Sequence, residues 1–232
     1  YGLRAEDVLR MATLNAAIRM QRSDLGLIAA GRTADLIAFD SLENLLPRAV
    51  YVGGTCVAQQ GKLLFTPAAA SGVVPPRDTM RLTPLNATDF RLKIPGLNNG
   101  KARLRNIKGA RFTQWSEVTV NVRDGAVQIP DGFSLIWVQH RHGRHDATPK
   151  MALLEGWGAL RGAIATSYSH DAHNLVIIGR DPVDMMIAAN QLIASGGGMA
   201  LSQHGTLLAN IDMPIAGMLS DLPATELAKQ FK

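Results

Sequence analysis

Apolar residues in this chain fall mostly in short runs broken by glycine turns, and that pattern dictates a sheet-rich fold with few helices. Leu175-Val176-Ile177-Ile178 and the run from Phe133 to Gln139 are too short for buried helices, and they carry the β-branched and aromatic residues of strands. Gly53-Gly54, Gln60-Gly61, Asp124-Gly125 and His204-Gly205 punctuate such runs. Asp124-Gly125, between Val122 and Val127, is a good hairpin signal. The pattern predicts strands over residues 34–39, 49–52, 55–59, 62–65, 90–93, 118–123, 133–139, 162–168, 175–178, 199–202 and 206–211. Residues 33–66 thus read as a small all-β unit. Lys101, Arg103 and Arg105 alternate as one strand face does.

Helical spacing is confined to three places. Val8, Leu9, Ala12, Ala16 and Ala17 recur at that spacing and predict a helix over 5–20. Asp181-Pro182 sets a cap and a first-turn proline for a second helix. Its apolar face reads as Val183, Met186, Ile187, Asn190, Leu192 and Ile193, and Gly196 closes it. The last helix opens at Asp221-Leu222-Pro223 and runs to Lys232, as though the natural chain continues. Residues 67–89, with Pro75-Pro76 among Ala, Thr and Ser, read as a linker or an extended surface crossing. Together these give an α+β chain.

Composition narrows the class. Apolar residues make up 47% of the 232, which suits a globular core, and no apolar run is long enough to span a bilayer. The start, Tyr1 to Asp7, is no signal peptide and reads like the middle of something. The single cysteine, Cys56, excludes an internal disulfide framework and fits the cytoplasm; it reads as a small buried strand residue rather than a catalytic thiol. The formal charge of +5 raises the question of nucleic acid. The cations are spread and few aromatics lie near them, so a solvated face, or a patch meeting a partner subunit, is the reading.

The most specific pattern in the first part runs through Ala12-Thr13-Leu14-Asn15-Ala16-Ala17, then Leu25-Gly26-Leu27-Ile28-Ala29-Ala30-Gly31-Arg32-Thr33-Ala34-Asp35-Leu36-Ile37-Ala38-Phe39-Asp40. A helix packs down, a glycine turn follows, and Asp35 stands where a carboxylate can cap backbone N–H groups. This resembles the end of the amidohydrolase superfamily, where the last helix of a TIM barrel is followed by a small β-sandwich subdomain. By that resemblance the metal ligands lie at the barrel strands, ahead of a helix like 5–20, and none is carried onto these residues. His140-Arg141-His142 mimics a barrel His-x-His pair but lies beyond the β-unit. With His145 and Asp146 it has enough donors for a metal site; a polar loop at a strand end is the other reading.

The second part carries Gly162 to Gly179, with Ser169-His170-Asp171-Ala172-His173-Asn174 at its centre, then Asp184, Met185, Ala188, Asn190, Gly196-Gly197-Gly198 and Pro214 to Asp221. This looks like the C-terminal domain of the adenine deaminase family. The resemblance implies domain limits at 1–22, 23–66, 67–89 and 90–232. It also implies metal-dependent hydrolysis of adenine to hypoxanthine and ammonia in purine salvage or catabolism, with manganese or iron held by a barrel these residues lack. Adenine and water are then the substrates, a homodimer is expected, and nucleic acid and membrane are not partners. Read on its own, the Ser169 to Asn174 cluster is costly to bury unpartnered and suits orienting a polar heterocycle or moving a proton near neutral pH. His170, Asp171 and His173 are the candidates for substrate-loop or proton-transfer roles, and Ser169 and Asn174 for substrate binding. A hydrogen-bonded turn joining two strands is the competing reading. Gly196 to Gly198 follows a helix, so it reads as a cap and turn rather than a phosphate cradle. Another amidohydrolase, such as a cyclic-amide hydrolase or an amino-sugar deacetylase, and a non-catalytic assembly module stay open as alternatives.

Overall fold

The computed structural model describes residues 2–68, 72, 74–109, 113–157 and 160–231. Parts of the expected linker (69–71 and 73) and the end of the expected last helix at Lys232 lie outside the described residues. The chain divides into two compact units, Tyr1–Val73 and Val74–Lys232. It is mixed α+β, with large antiparallel sheets and few helices.

In the first unit, α1 (Ala5–Arg10) passes through a π-helical turn (Met11–Asn15) into α2 (Ala16–Arg19). The chain then turns back at Gly26, where a Cβ would stand 2.7 Å from Ala17 Cβ and 2.8 Å from the Thr13 carbonyl. The turn meets only the C-terminal end of the helix. Ala17 is therefore buried, while Val8 and Ala12, expected on the inner face, are exposed. Strands β1 (Leu36–Phe39), β2 (Pro47–Val52), β3 (Thr55–Gln59) and β4 (Lys62–Leu63) form one antiparallel sheet in that order. Asp35 caps as its position implied, its Oδ1 accepting from the Gly53 amide at 2.8 Å. The described residues of this unit make a single sheet, so a second layer of the expected sandwich is not among them. Cys56 is half-buried rather than buried.

The second unit is built on a nine-stranded sheet. Its strands are β5 (Gly100–Lys108), β6 (Gln114–Arg123), β7 (Ala126–Gln128), β8 (Phe133–Gln139), β9 (Lys150–Glu155), β10 (Ala163–Thr166), β11 (Leu175–Gly179), β12 (Gly198–Gln203) and β13 (Thr206–Asp212). The order is β13-β12-β10-β11-β8-β9-β5-β6-β7, antiparallel except between β5 and β9. Asp124-Gly125 makes the expected two-residue hairpin, with positive φ at both residues. Residues 90–93 are a correction. Asn86 and Asp89 form a reciprocal cap that winds Ala87–Phe90 into a 3-10 turn, and only Lys93 bridges to β7. The turn drives Phe90 into the core, its ring 4.7 Å from that of Trp137.

Helix α3 (Pro182–Ser195) is capped by Asp181, whose side chain accepts from the Val183 and Asp184 amides, and ends at Gly196 with φ 83°. Its buried face is Met185, Ala188, Ala189 and Leu192; of the expected stripe, Leu192 is buried and Met186 and Ile193 pack partly buried against the same core, while Val183 does not. The alanines let the helix sit close on Leu135, Trp137, Ala163, Ala165, Leu175 and Ile177; bulkier Val183 turns out to solvent. α4 (Ala224–Gln230) is short. Among the described residues no helix is long and apolar enough to cross a membrane.

Asp184 ties α3 to the β12–β13 hairpin. It is buried. Its Oδ1 accepts from the Gly205 amide at 2.7 Å, its Oδ2 from the His204 amide at 3.1 Å, and its carbonyl from Ser202 Oγ at 2.5 Å. Each bond to an ionised acceptor contributes about 1.5–3 kcal/mol. Asp184→Ala is therefore expected to lower unfolding stability by roughly 3 kcal/mol, with Asp184→Asn losing less, as measured by denaturant titration. Equal stability of all three proteins would refute this role for the carboxylate.

Candidate functional site

The sheet's strand ends bring together the segments that stood out in the sequence. The end of β8 pairs with the start of β11 (Gln139 with Leu175), and the end of β10 pairs with the start of β12 (Thr166 with Met199). The loop after β8, the 167–174 loop and the turn after α3 therefore share one edge. The chain after β13 joins them, because Ile211 pairs with Met199 at this end of β12.

Arg141 lies at the centre of that edge and is fully buried. Its Nε donates to the His173 carbonyl at 2.6 Å. Its Nη1 donates to the Thr79 carbonyl at 3.0 Å and to Thr79 Oγ1 at 2.9 Å, and its Nη2 donates to the Ala216 carbonyl at 2.9 Å. The Arg81 amide donates back to the Arg141 carbonyl at 2.7 Å, so part of the expected linker runs along this unit. Among the described residues no carboxylate pairs with Arg141. Burial holds the guanidinium below the usual arginine value, and it stays charged.

The second tie is Ser167, also fully buried. Its Oγ donates to the Gly217 carbonyl at 2.6 Å and accepts from the Gly198 amide at 2.7 Å. Gly217 packs on Arg141, where a Cβ would stand 2.5 Å from Nη1. A Cβ on Gly197 would stand 2.7 Å from Ser167 Oγ. The glycines after α3 are thus a cap and a close crossing, as their order implied.

On this frame the 168–174 loop presents three rings. His170 and His173 lie 5.4 Å apart by centroid, and Tyr168 lies 5.1 and 5.7 Å from them. His173 holds φ 47°, rare for a non-glycine residue, and its amide donates to the Ser169 carbonyl at 2.6 Å. Its Nδ1 is buried with no hydrogen-bond partner among the described residues. His170 and Asp171 are exposed; Ser169, His173 and Asn174 are half-buried. So the structure gathers His170 and His173 with Tyr168. It gives the side chains of Ser169, Asp171 and Asn174 no hydrogen bond among the described residues. Strain and an unpaired polar atom mark functional loops more often than inert turns.

His140, His142 and His145 form a second cluster, with His140 5.3 Å from His142 and 5.2 Å from His145 by centroid. The His140 Nε2 accepts from the Arg144 amide at 3.3 Å, and Asp146 is spent on Thr148. Among the described residues no group of three or more His, Cys, Asp or Glu is arranged to hold a metal ion. The cluster stands in the loop that follows β8. Five of the six histidines nevertheless stand in the two loops that Arg141 joins.

Tyr168, Arg141, Ser167, Thr79 and Gly217 are the residues of this edge that sequence reasoning missed. Tyr168 stood next to the motif and was the one within reach. The others act through backbone carbonyls distant in sequence, which no local spacing reveals.

Burial pushes the His142 imidazole below its ordinary value, and the Arg141 charge adds to this; the Ala172 backbone opposes, while the His140 and Arg144 charges act with Arg141. A histidine depressed in the folded state favours folding in its neutral form. That contribution is complete above the ordinary value of about 6.5 and is lost as pH falls through the depressed value. The melting temperature is expected to fall between pH 7.5 and pH 5 by more in the unsubstituted protein than in His142→Gln. A His142→Gln protein with the same acid sensitivity would exclude His142 as the source.

Comparison with known proteins gives the family of the chain. The family model described as "Adenine deaminase C-terminal domain" matches residues 110–232, and that of the "Amidohydrolase family" matches residues 1–63. Adenine deaminase of Klebsiella pneumoniae subsp. pneumoniae is 69% identical over 232 residues, covering 100% of this chain and 38% of the relative. Adenine deaminase of Serratia proteamaculans is 71% identical over 231 residues, covering 100% and 39%. Adenine deaminase 2 of Rhizobium meliloti is 47% identical over 231 residues, covering 100% and 38%. The chain thus spans about two fifths of the length of the curated relatives it matches. With more than half of its residues under the C-terminal model and the amidohydrolase match preceding it in order, the chain belongs to the adenine deaminase C-terminal domain family.

Proposed function

We propose that this chain is part of an adenine deaminase, which hydrolyses adenine to hypoxanthine and ammonia with one water consumed. The observation that carries this reading is whole-chain identity of 69–71% to enzymes named adenine deaminase. An amidohydrolase of this type uses a divalent metal, with manganese or iron expected. The described residues do not provide its site, and no step assigned to this chain runs through it. The ligands belong to a barrel whose last helix is α1–α2. The accompanying division is 1–22, 23–66, 67–89 and 90–232, with the four-stranded sheet as one layer of a sandwich.

Within this reading the 168–174 loop faces the substrate. A flat, uncharged heterocycle with alternating donors and acceptors fits a wall made of Tyr168, His170 and His173 flanked by Asp171, Ser169 and Asn174. The rings supply stacking surface. His170 and His173 can accept or deliver a proton, which the departure of ammonia requires. The exposed Val8, Met11 and Ile18 suit cover by the rest of a longer protein or by a second copy, and a cytoplasmic homodimer is the assembly we expect.

The test is ammonia release from adenine by the full-length, manganese-loaded protein, alongside His170→Ala, Asp171→Ala and His173→Ala. A general acid or base contributes about 10²–10⁴-fold, so a loss of that order is expected in at least one histidine variant. Full activity in all three variants would remove the loop from the reaction. Absence of adenine turnover in the unsubstituted protein would remove the deaminase reading itself.

A further inference from the structure

We propose that Arg141 is the positioning residue of the 168–174 loop: it holds the His173 carbonyl and so fixes where the His173 and His170 rings stand. This rests on the loop facing substrate, as proposed above. Three observations carry it. First, Arg141 spends its Nε on the His173 carbonyl and its two Nη atoms on Thr79 and Ala216, segments far apart in sequence. A guanidinium locked on the other two sides cannot follow the loop if the loop drifts. Second, the carbonyl it holds belongs to the one residue of the loop in the left-handed region, and that residue also has the unpartnered ring nitrogen. Such a conformation persists only where surrounding structure enforces it. Third, the charge is buried without a carboxylate. A core that needed only filling is served as well or better by an apolar side chain, so the position is spent on holding carbonyls in place. Arg141 touches no reacting atom in this scheme; it acts through His173.

The residue also explains a side chain that is absent. Gly217 lies flat against the guanidinium, with the position of a Cβ 2.5 Å from Nη1, 2.7 Å from Cζ and 2.8 Å from Nη2. Any larger residue there moves the fork.

The experiment uses the full-length, metal-loaded protein carrying Arg141→Lys, His173→Ala, or both. Lysine keeps the charge but is a point donor, so it cannot bridge three segments at once. Misplacement of this kind costs up to about 10²-fold. Arg141→Lys is therefore expected to lower kcat by about ten- to a hundredfold with little change in KM, and the double variant to lose clearly less than the product of the two single losses. A product of the two single losses in the double variant, or an unchanged kcat in Arg141→Lys, would overturn the proposal.

A second readout does not depend on the reaction. Carbethoxylation of individual histidines, followed by peptide mass spectrometry, reports local opening. In Arg141→Lys the rates at His170 and His173 are expected to rise about fivefold or more, with His204 at the opposite end of the sheet unchanged. A joint rise at all histidines means general loosening and refutes positioning, as does no rise at all. If Arg141→Lys does not fold, Gly217→Ala displaces the same fork and is read the same way. If the unsubstituted protein does not turn over adenine, the functional reading fails and the modification rates alone decide the role of Arg141.

Discussion

A single buried cation, bonded to oxygens that carry no net charge, organises one whole edge of the nine-stranded sheet. Strand ends leave carbonyls without ladder partners, and each one buried unpaired costs about 1–3 kcal/mol. Here such ends come from β8, β10, β11 and β13 within a small space. Arg141 answers the carbonyls of His173, ahead of β11, and Ala216, beyond β13, together with that of Thr79, because its donors form a rigid planar fork. Removing the charge from water costs several kcal/mol, and each charge-assisted bond returns about 1.5–3 kcal/mol. What it contributes is a fixed arrangement of segments that otherwise have no reason to meet.

The glycines follow from the same crowding. Ser167 can reach both the Gly198 amide and the Gly217 carbonyl only because those backbones come close. Side chains at Gly197 and Gly217 would occupy the space of Ser167 and Arg141. The glycine run after α3 thus has two jobs, one local and one tertiary. Gly196 ends the helix in the left-handed region. Gly197 and Gly198 then let the chain pass under the 213–217 segment. The alanines on the buried face of α3 serve the same compactness one layer away, bringing the helix down onto β10 and β11.

Local chemistry was legible and long-range chemistry was not. Asp124-Gly125, Asp181-Pro182, Gly196 and the Asp35 cap could be read because their partners lie within a turn or along the adjoining hairpin. The strand β9 was missed because Lys150-Met151-Ala152-Leu153-Leu154-Glu155 has no β-branched residue and suits a helix equally. The centre of the α3 face was missed because alanines count for little in an apolar pattern, although their small size is what lets a helix approach a sheet; Leu192, Met186 and Ile193 were read correctly as meeting the core. Phe90 looked like a strand residue because the Asn86–Asp89 reciprocal cap was not weighed against its apolar neighbours. Within the site, the Ser169 to Asn174 cluster stood out by polar density. Nothing local ties it to Arg141, which lies about thirty residues earlier and acts on a carbonyl rather than on a side chain.

The His140-Arg141-His142 triplet shows how one spacing serves two physical ends. Side chains alternate along an extended chain, so beyond Gln139 every second residue continues the buried side. Gln139 and Arg141 are buried; His140 and His142 are not. The His-x-His pattern that suggested a metal pair is therefore the visible half of an alternation whose inner member is the arginine. Two imidazoles set outside a buried guanidinium are poor metal ligands, because its charge opposes a cation nearby. Burial is what chiefly lowers the His142 imidazole, and the same charge adds to it. One alternation thus turns the guanidinium inward, where it holds carbonyls, and leaves the imidazoles less buried.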